Sequence, residues 1–228
     1  MRKYTLLFIA ISISTLLLNC KSEEKLVDFT ALTKSYFDGK NELNPLDATL
    51  NGQSQFNDQL QFEMTDSFRL KHKAFYDKFE TELSKVDETK LSSEEKISYE
   101  IIKWEIGVGK ELLAQPSNLI PIHQFWGTHL TMGQYAGGTA GQPFKTEKDY
   151  RNFLKRMDLY SVWIDSAMVY MKKGIAKGAV LPKALTLKII PEFEDMITSK
   201  VEDNLFYSTI KTMPTSFSDT VKLQFQIN

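Results

Sequence analysis

The chain has 228 residues, 42% of them hydrophobic, and its 28 basic and 29 acidic residues leave a formal net charge of −1. That balance excludes a basic face able to hold a phosphate backbone, and with it a nucleic-acid partner. A single cysteine excludes a disulfide within the chain, so stability rests on packing, for which about 200 residues supply one substantial core.

Arg2 and Lys3 precede an apolar run from Thr5 to Leu18. It is too short for a bilayer core, which takes about 20 residues, but it matches the centre of an export signal. The only cysteine, Cys20, follows Leu17-Leu18-Asn19 and resembles the lipobox of bacterial lipoproteins, in which the thiol is diacylated after export. Asn19 stands where that box usually has a small residue, and the segment also fits an ordinary signal peptide with a chance cysteine. The expectation is a lipoprotein signal peptide over 1–19, then lipidated Cys20 and a charged tether over 20–27 that includes Lys21-Ser-Glu-Glu-Lys25. The tether resembles the acidic tags of surface lipoproteins and fits a plain solvated spacer equally well. This places the protein in the bacterial cell envelope, its partner a membrane reached through the lipid anchor, in the outer membrane with either a periplasmic or an outward face. Loss of residues 1–19 removes Arg2, Lys3 and no acid, so the net charge moves to −3.

From residue 28 onward the spacing is helical nearly throughout, which predicts an all-α, irregular multi-helix bundle with at least five helices and little or no sheet. After Met64 the positions Phe68, His72, Phe75, Phe79, Leu83 and Val86 form one stripe. Ser92-Ser-Glu-Glu95 reads as a capping box, opening a helix with the stripe Ile97, Ile101, Trp104 or Glu105, Val108 and Leu112, which stops near Gln115-Pro116. The two helices are expected to pair as an antiparallel hairpin across the turn 87–91. A third start falls at Thr146, where Glu147 and Asp149 suit the positive end of the helix dipole. Its stripe runs through Tyr150, Phe153, Leu154, Met157, Ser161, Ile164, Met168, Met171 and Ile175 to Gly178, as one long helix or two in line. Pro182 suits a first turn, and Pro191 a second start or a kink. No linker, repeat or low-complexity tract divides the chain.

One segment carries a resemblance. It reads Leu119-Ile-Pro-Ile-His-Gln-Phe-Trp-Gly127-Thr-His129-Leu, then a glycine-rich loop, Gln142-Pro-Phe144, Thr146-Glu-Lys-Asp-Tyr-Arg-Asn-Phe-Leu-Lys-Arg156, and finally Met171-Lys-Lys-Gly-Ile-Ala-Lys-Gly178-Ala-Val-Leu-Pro182. This order resembles the first half of the bacterial domain-of-unknown-function 885 family. Pro45-Leu-Asp-Ala-Thr-Leu-Asn-Gly52 is similar to that family's opening turn, and Asp203-Asn-Leu-Phe-Tyr207 to the segment before its next helix. The resemblance implies that residues 28–228 are the N-terminal part of a larger, mostly helical, zinc metallopeptidase-like fold. It also implies a zinc-binding His-Glu-x-x-Pro-Gly-His-His helix in the second half. The tail is ambiguous: Val221, Leu223, Phe225 and Ile227 alternate like a half-buried strand, whereas the resemblance implies a helix, which we adopt. An apolar pattern running to Ile227 without Gly or Pro reads as a truncated product.

The zinc motif does not occur in this sequence. Its three histidines, His72, His123 and His129, are nowhere four residues apart and none adjoins a Glu, whereas a helical zinc site needs two imidazoles one turn apart and a carboxylate. The chain is therefore expected to hold no metal and no cofactor of its own, and no catalytic residue: neither tight zinc binding nor peptide hydrolysis. His72 sits in a helical stripe and reads as a core or boundary histidine. His129, Trp126 and Tyr135 are candidates for the wall of a substrate cleft, with a turn-capping role as the alternative for His129. Gly137-Gly-Thr-Ala-Gly141 lacks the flanking residues of a phosphate loop, and no nucleophile motif is present. Two functions follow. One is the lipid-anchored helical part of a zinc-dependent, peptidase-like hydrolase, shaping a cleft for a peptide. The other is a non-enzymatic envelope lipoprotein that binds or scaffolds.

Overall fold

The computed structural model describes residues 27–198 and 200–227. The expected signal peptide, Cys20 and the expected tether up to residue 26 lie outside the described residues. Among the described residues there are nine α-helices and no strand, and no helix is long and apolar enough to cross a membrane.

The first unit is built from α1 (Phe29–Leu43), α3 (Asp66–Leu83) and α4 (Ser93–Ala114). Each begins on a side-chain cap: Asp28 accepts from the Ala31 amide, Thr65 from Phe68, and Ser92 from Glu95, whose carboxylate accepts in return from the Ser92 amide. Phe29, Leu32 and Tyr36 meet Phe79, Leu83, Tyr99, Ile102 and Ile106 in one apolar cluster. The hairpin is antiparallel, because Tyr76 packs on Gly109, Lys110 pairs with Asp77 and Glu80, and Arg69 reaches the carbonyls of Leu113 and Gln115. A Cβ on Gly109 would come within 2.3–2.6 Å of the hydroxyl end of the Tyr76 ring, so the helices approach this closely only with glycine there. The face that α4 buries is Tyr99, Ile102, Ile106 and Gly109. Of the stripe expected from the sequence, Ile97, Ile101, Trp104 and Leu112 are exposed, and Glu105 and Val108 half-buried. Both stripes have helical spacing, and the partner's shape selects the one that contains the glycine.

The second unit surrounds α6 (Glu147–Lys177), a single uninterrupted helix. It opens on a Thr146/Asp149 capping box and ends at Gly178, whose φ of 71° is the left-handed stop. Its buried residues are Tyr150, Phe153, Arg156, Trp163, Ala167, Tyr170 and Gly174. Of the stripe expected from the sequence, Tyr150 and Phe153 are buried and Leu154, Met157 and Ile164 half-buried, whereas Met168, Met171 and Ile175, each one position beyond a buried residue, are exposed. Packed against α6 are Leu46 of α2 (Pro45–Leu50), Leu60 and Met64 of the irregular segment 51–65, and Met132, Tyr135 and Ala136 of α5 (Thr128–Ala136).

Segment 51–65 is fastened along α6 by three side chains seven residues apart. Arg156 donates to the carbonyls of Phe56 and Gln59, Trp163 Nε1 to Glu63, and the Tyr170 hydroxyl accepts from the Asp66 amide. Pro191 lies inside α7 (Lys183–Glu194), in its last turn, where it removes the amide that would donate to the carbonyl four residues back, and the helix ends three residues later. After the short α8 (Ser208–Lys211), the tail forms α9 (Asp219–Ile227), as the resemblance implies. Val221 and Phe225 satisfy alternation and the i,i+4 rule alike; Phe225 is buried 5.1 Å from Tyr150, while Leu223 is exposed.

Candidate functional site

Between the α3/α4 hairpin and the start of α5 lies a cleft of about 770 Å³, within the range of small-ligand sites. Its hairpin wall presents Phe68, Arg69, His72 and Tyr76, its floor Glu63 and Met64, and its mouth Asp47, His123 and Trp126. A smaller trough of about 230 Å³ shares Asp47, His72 and Tyr76 with it and continues toward Glu105, which accepts from Tyr36 and pairs with Lys40.

Glu63 is held from two sides. One carboxylate oxygen accepts from Thr128 Oγ1 at 2.7 Å and the other from Trp163 Nε1 at 3.0 Å. Burial pushes its carboxyl above the usual range, while both hydrogen bonds favour the ionised form. Thr128 is the first residue of α5, whose N-cap, Gly127, offers no side chain. The φ of 129° at Gly127 is open to glycine, and it brings the chain over the His129 ring.

His72 packs 4.5 Å from Phe68 and 5.7 Å, edge on, from Tyr76. Its Nε2 is buried without a hydrogen-bond partner, and burial lowers its pKa to about 4, so the ring is neutral at physiological pH. His123 accepts from the Phe125 amide at Nδ1 and stacks on Trp126 at 3.8 Å; Trp126 is 65% exposed.

Of the three residues expected on the cleft wall, Trp126 lines the cleft. His129 and Tyr135 lie behind it, both fully buried. His129 stacks on Phe193 at 5.5 Å, with its pKa lowered by burial, and the Tyr135 hydroxyl donates to the Leu46 carbonyl at 2.7 Å. Gly137 to Gly141 forms a turn, with Gly141 against the backbone of Leu50. Sequence reasoning passed over Glu63 and Asp47. The signal for Glu63 was a lone acid between Phe62 and Met64, and for Asp47 a charge within the Pro45–Gly52 turn. It also passed over Arg156, an arginine on an apolar face, which donates to Gln142, Thr49, Phe56 and Gln59 from full burial. Among the described residues no three of His, Cys, Asp and Glu converge to hold a metal.

Fold and site together define an all-helical protein with a largely apolar cleft that carries a few polar groups. The chain belongs to the family described as bacterial protein of unknown function (DUF885), whose model matches residues 45–227. No curated protein and no solved structure matches it. The match takes in the cleft residues from Asp47 to Trp126.

Proposed function

We propose that this chain is the lipid-anchored helical part of a peptidase-like hydrolase and that it supplies the binding wall of a substrate cleft for peptides. What supports the reading most is the 770 Å³ cleft, walled by aromatic side chains with a few convergent polar groups, the make-up expected of a small-ligand or peptide site. The donor set for the zinc that the resemblance implies is not assembled by the described residues. No chemical step is assigned to them: they bind and orient, with Trp126 as a flat contact and Glu63 as a fixed carboxylate. The anchor at Cys20 belongs to the same proposal.

Photo-cross-linking tests the binding. Benzophenone-bearing peptides of mixed sequence, incubated with the full chain, should attach to residues that line the cleft. Attachment scattered over the surface, or none, would refute the reading. For the anchor, Cys20→Ser should move the protein from the detergent phase to the aqueous phase, and an unchanged partition would refute it.

A further inference from the structure

We propose that the cleft receives an ammonium group of its ligand, held by the carboxylates of Glu63 and Asp47 beside the faces of Trp126 and its aromatic neighbours. This rests on reading the cleft as the ligand site, and it adds the charge and kind of group bound there.

The charges that line the cleft are unbalanced. Glu63 and Asp47 are its carboxylates, and neither takes part in an ion pair among the described residues. Arg69 also lines it, but its guanidinium is turned onto the carbonyls of Leu113 and Gln115. These belong to the C-terminal end of α4, where helix carbonyls are free and the dipole is negative. The guanidinium is therefore held at a helix end, and no lysine lines the cleft beside it. Two carboxylates against one guanidinium give the lining a formal charge of −1, which suits a cation.

The carboxylate of Glu63 is also prepared in advance. An indole N–H can only donate, and the Thr128 hydroxyl donates to the other oxygen, so the pair of contacts fixes the carboxyl group in place and favours its ionised form against the burial that opposes it. Each oxygen keeps a second lone pair for a ligand N–H. The aromatic component is independent of this. Trp126 is more than half exposed at the mouth, backed by the His123 ring. A tryptophan face beside carboxylates is how proteins recognise ammonium ligands. His72 adds a third, neutral element, a buried ring nitrogen with no protein partner, on a residue of the cleft wall.

The experiment compares three probes on the full chain by isothermal titration calorimetry: an alanine tetrapeptide amide with a free amino terminus, its N-acetylated twin, and an N-acetylated twin that carries one lysine. The free-amine peptide should bind about tenfold more tightly than the acetylated one, with the advantage shrinking as salt is raised. If the lysine peptide matches it, the ammonium is taken from a side chain; if not, from the chain terminus. Either result supports the proposal. The preference should fall in Asp47→Asn and Trp126→Ala, both at exposed residues, and in Glu63→Gln. Equal affinity for free and acetylated peptides would overturn the ammonium while leaving a peptide cleft. Retention of the full preference in Asp47→Asn and Trp126→Ala would overturn the assigned residues even if Glu63→Gln does not fold. Absence of binding by every peptide would remove both readings.

Discussion

Replacing Arg156 by methionine should destabilise the protein by about 2–5 kcal/mol, a large share of the ~5–15 kcal/mol that holds a domain together. The guanidinium is fully buried and donates to the Gln59 carbonyl at 2.9 Å, the Phe56 carbonyl at 2.6 Å, Gln142 Oε1 at 2.5 Å and Thr49 Oγ1 at 2.9 Å. No carboxylate hydrogen-bonds to it, so its charge is compensated by neutral oxygens, by the Tyr135 ring 5.5 Å from its centre, and at longer range by Asp58. Hydrogen bonds from a charged donor contribute ~1.5–3 kcal/mol each, about 6–12 kcal/mol for the set. Removing the ion also returns the several kcal/mol spent on desolvating it, and the difference gives the expected loss. Methionine fills much of the stem and leaves two backbone carbonyls and two side-chain oxygens facing an apolar group. Arg156→Lys should lose stability as well, because an ammonium is a point that cannot span acceptors on three segments. Urea unfolding of the full chain, followed by far-ultraviolet circular dichroism, gives the stabilities. A methionine variant within about 1 kcal/mol of the parent would refute the reasoning and would mean that the desolvation cost cancels the hydrogen bonds.

Two glycines of α4, two residues apart, should respond with opposite signs. Gly107→Ala meets nothing within 4 Å and should gain up to about 1 kcal/mol from helix propensity, whereas Gly109→Ala drives a methyl into Tyr76 and should lose ~1–3 kcal/mol to overpacking; thermal melts that shift in the same direction would refute this. Burial lowers the His72 pKa from 6.5 to about 4, so between those values the unfolded chain binds a proton that the folded chain refuses. The stability tied to His72 is thus complete above pH 6.5 and is lost as pH falls toward 4. His72→Phe should flatten that part of the melting-temperature profile, and a profile of unchanged slope would show that other groups set it.

Helix caps were legible because they are local: Ser92-Ser-Glu-Glu95 and Thr146 to Asp149 each hold their whole hydrogen-bond logic within four residues. The phase of the buried faces was not. Both α4 and α6 carry two apolar stripes, and what separates them is the shape of the partner: Tyr76 seeks a glycine, and Glu63 and Asp66 seek the polar atoms of Trp163 and Tyr170. Trp126 was legible as a residue of an irregular aromatic stretch. Glu63 and Asp47 were not, because their roles depend on a cleft made by segments far apart in sequence.

The fastening of segment 51–65 to α6 has a consequence for how the gene tolerates change. Arg156, Trp163 and Tyr170 stand two helical turns apart, about 10.5 Å per step, and they meet Gln59, Glu63 and Asp66, three or four residues apart. The chain joins these points by an open stretch, 59–62, and a turn, 63–65, that leads into α3. The segment therefore works as a rack whose teeth match those of the rod beside it. Loops ordinarily accept inserted or deleted residues, but one codon gained or lost between Gln59 and Asp66 would throw the teeth out of step. Glu63 would leave the cleft floor while every side chain remained in the sequence.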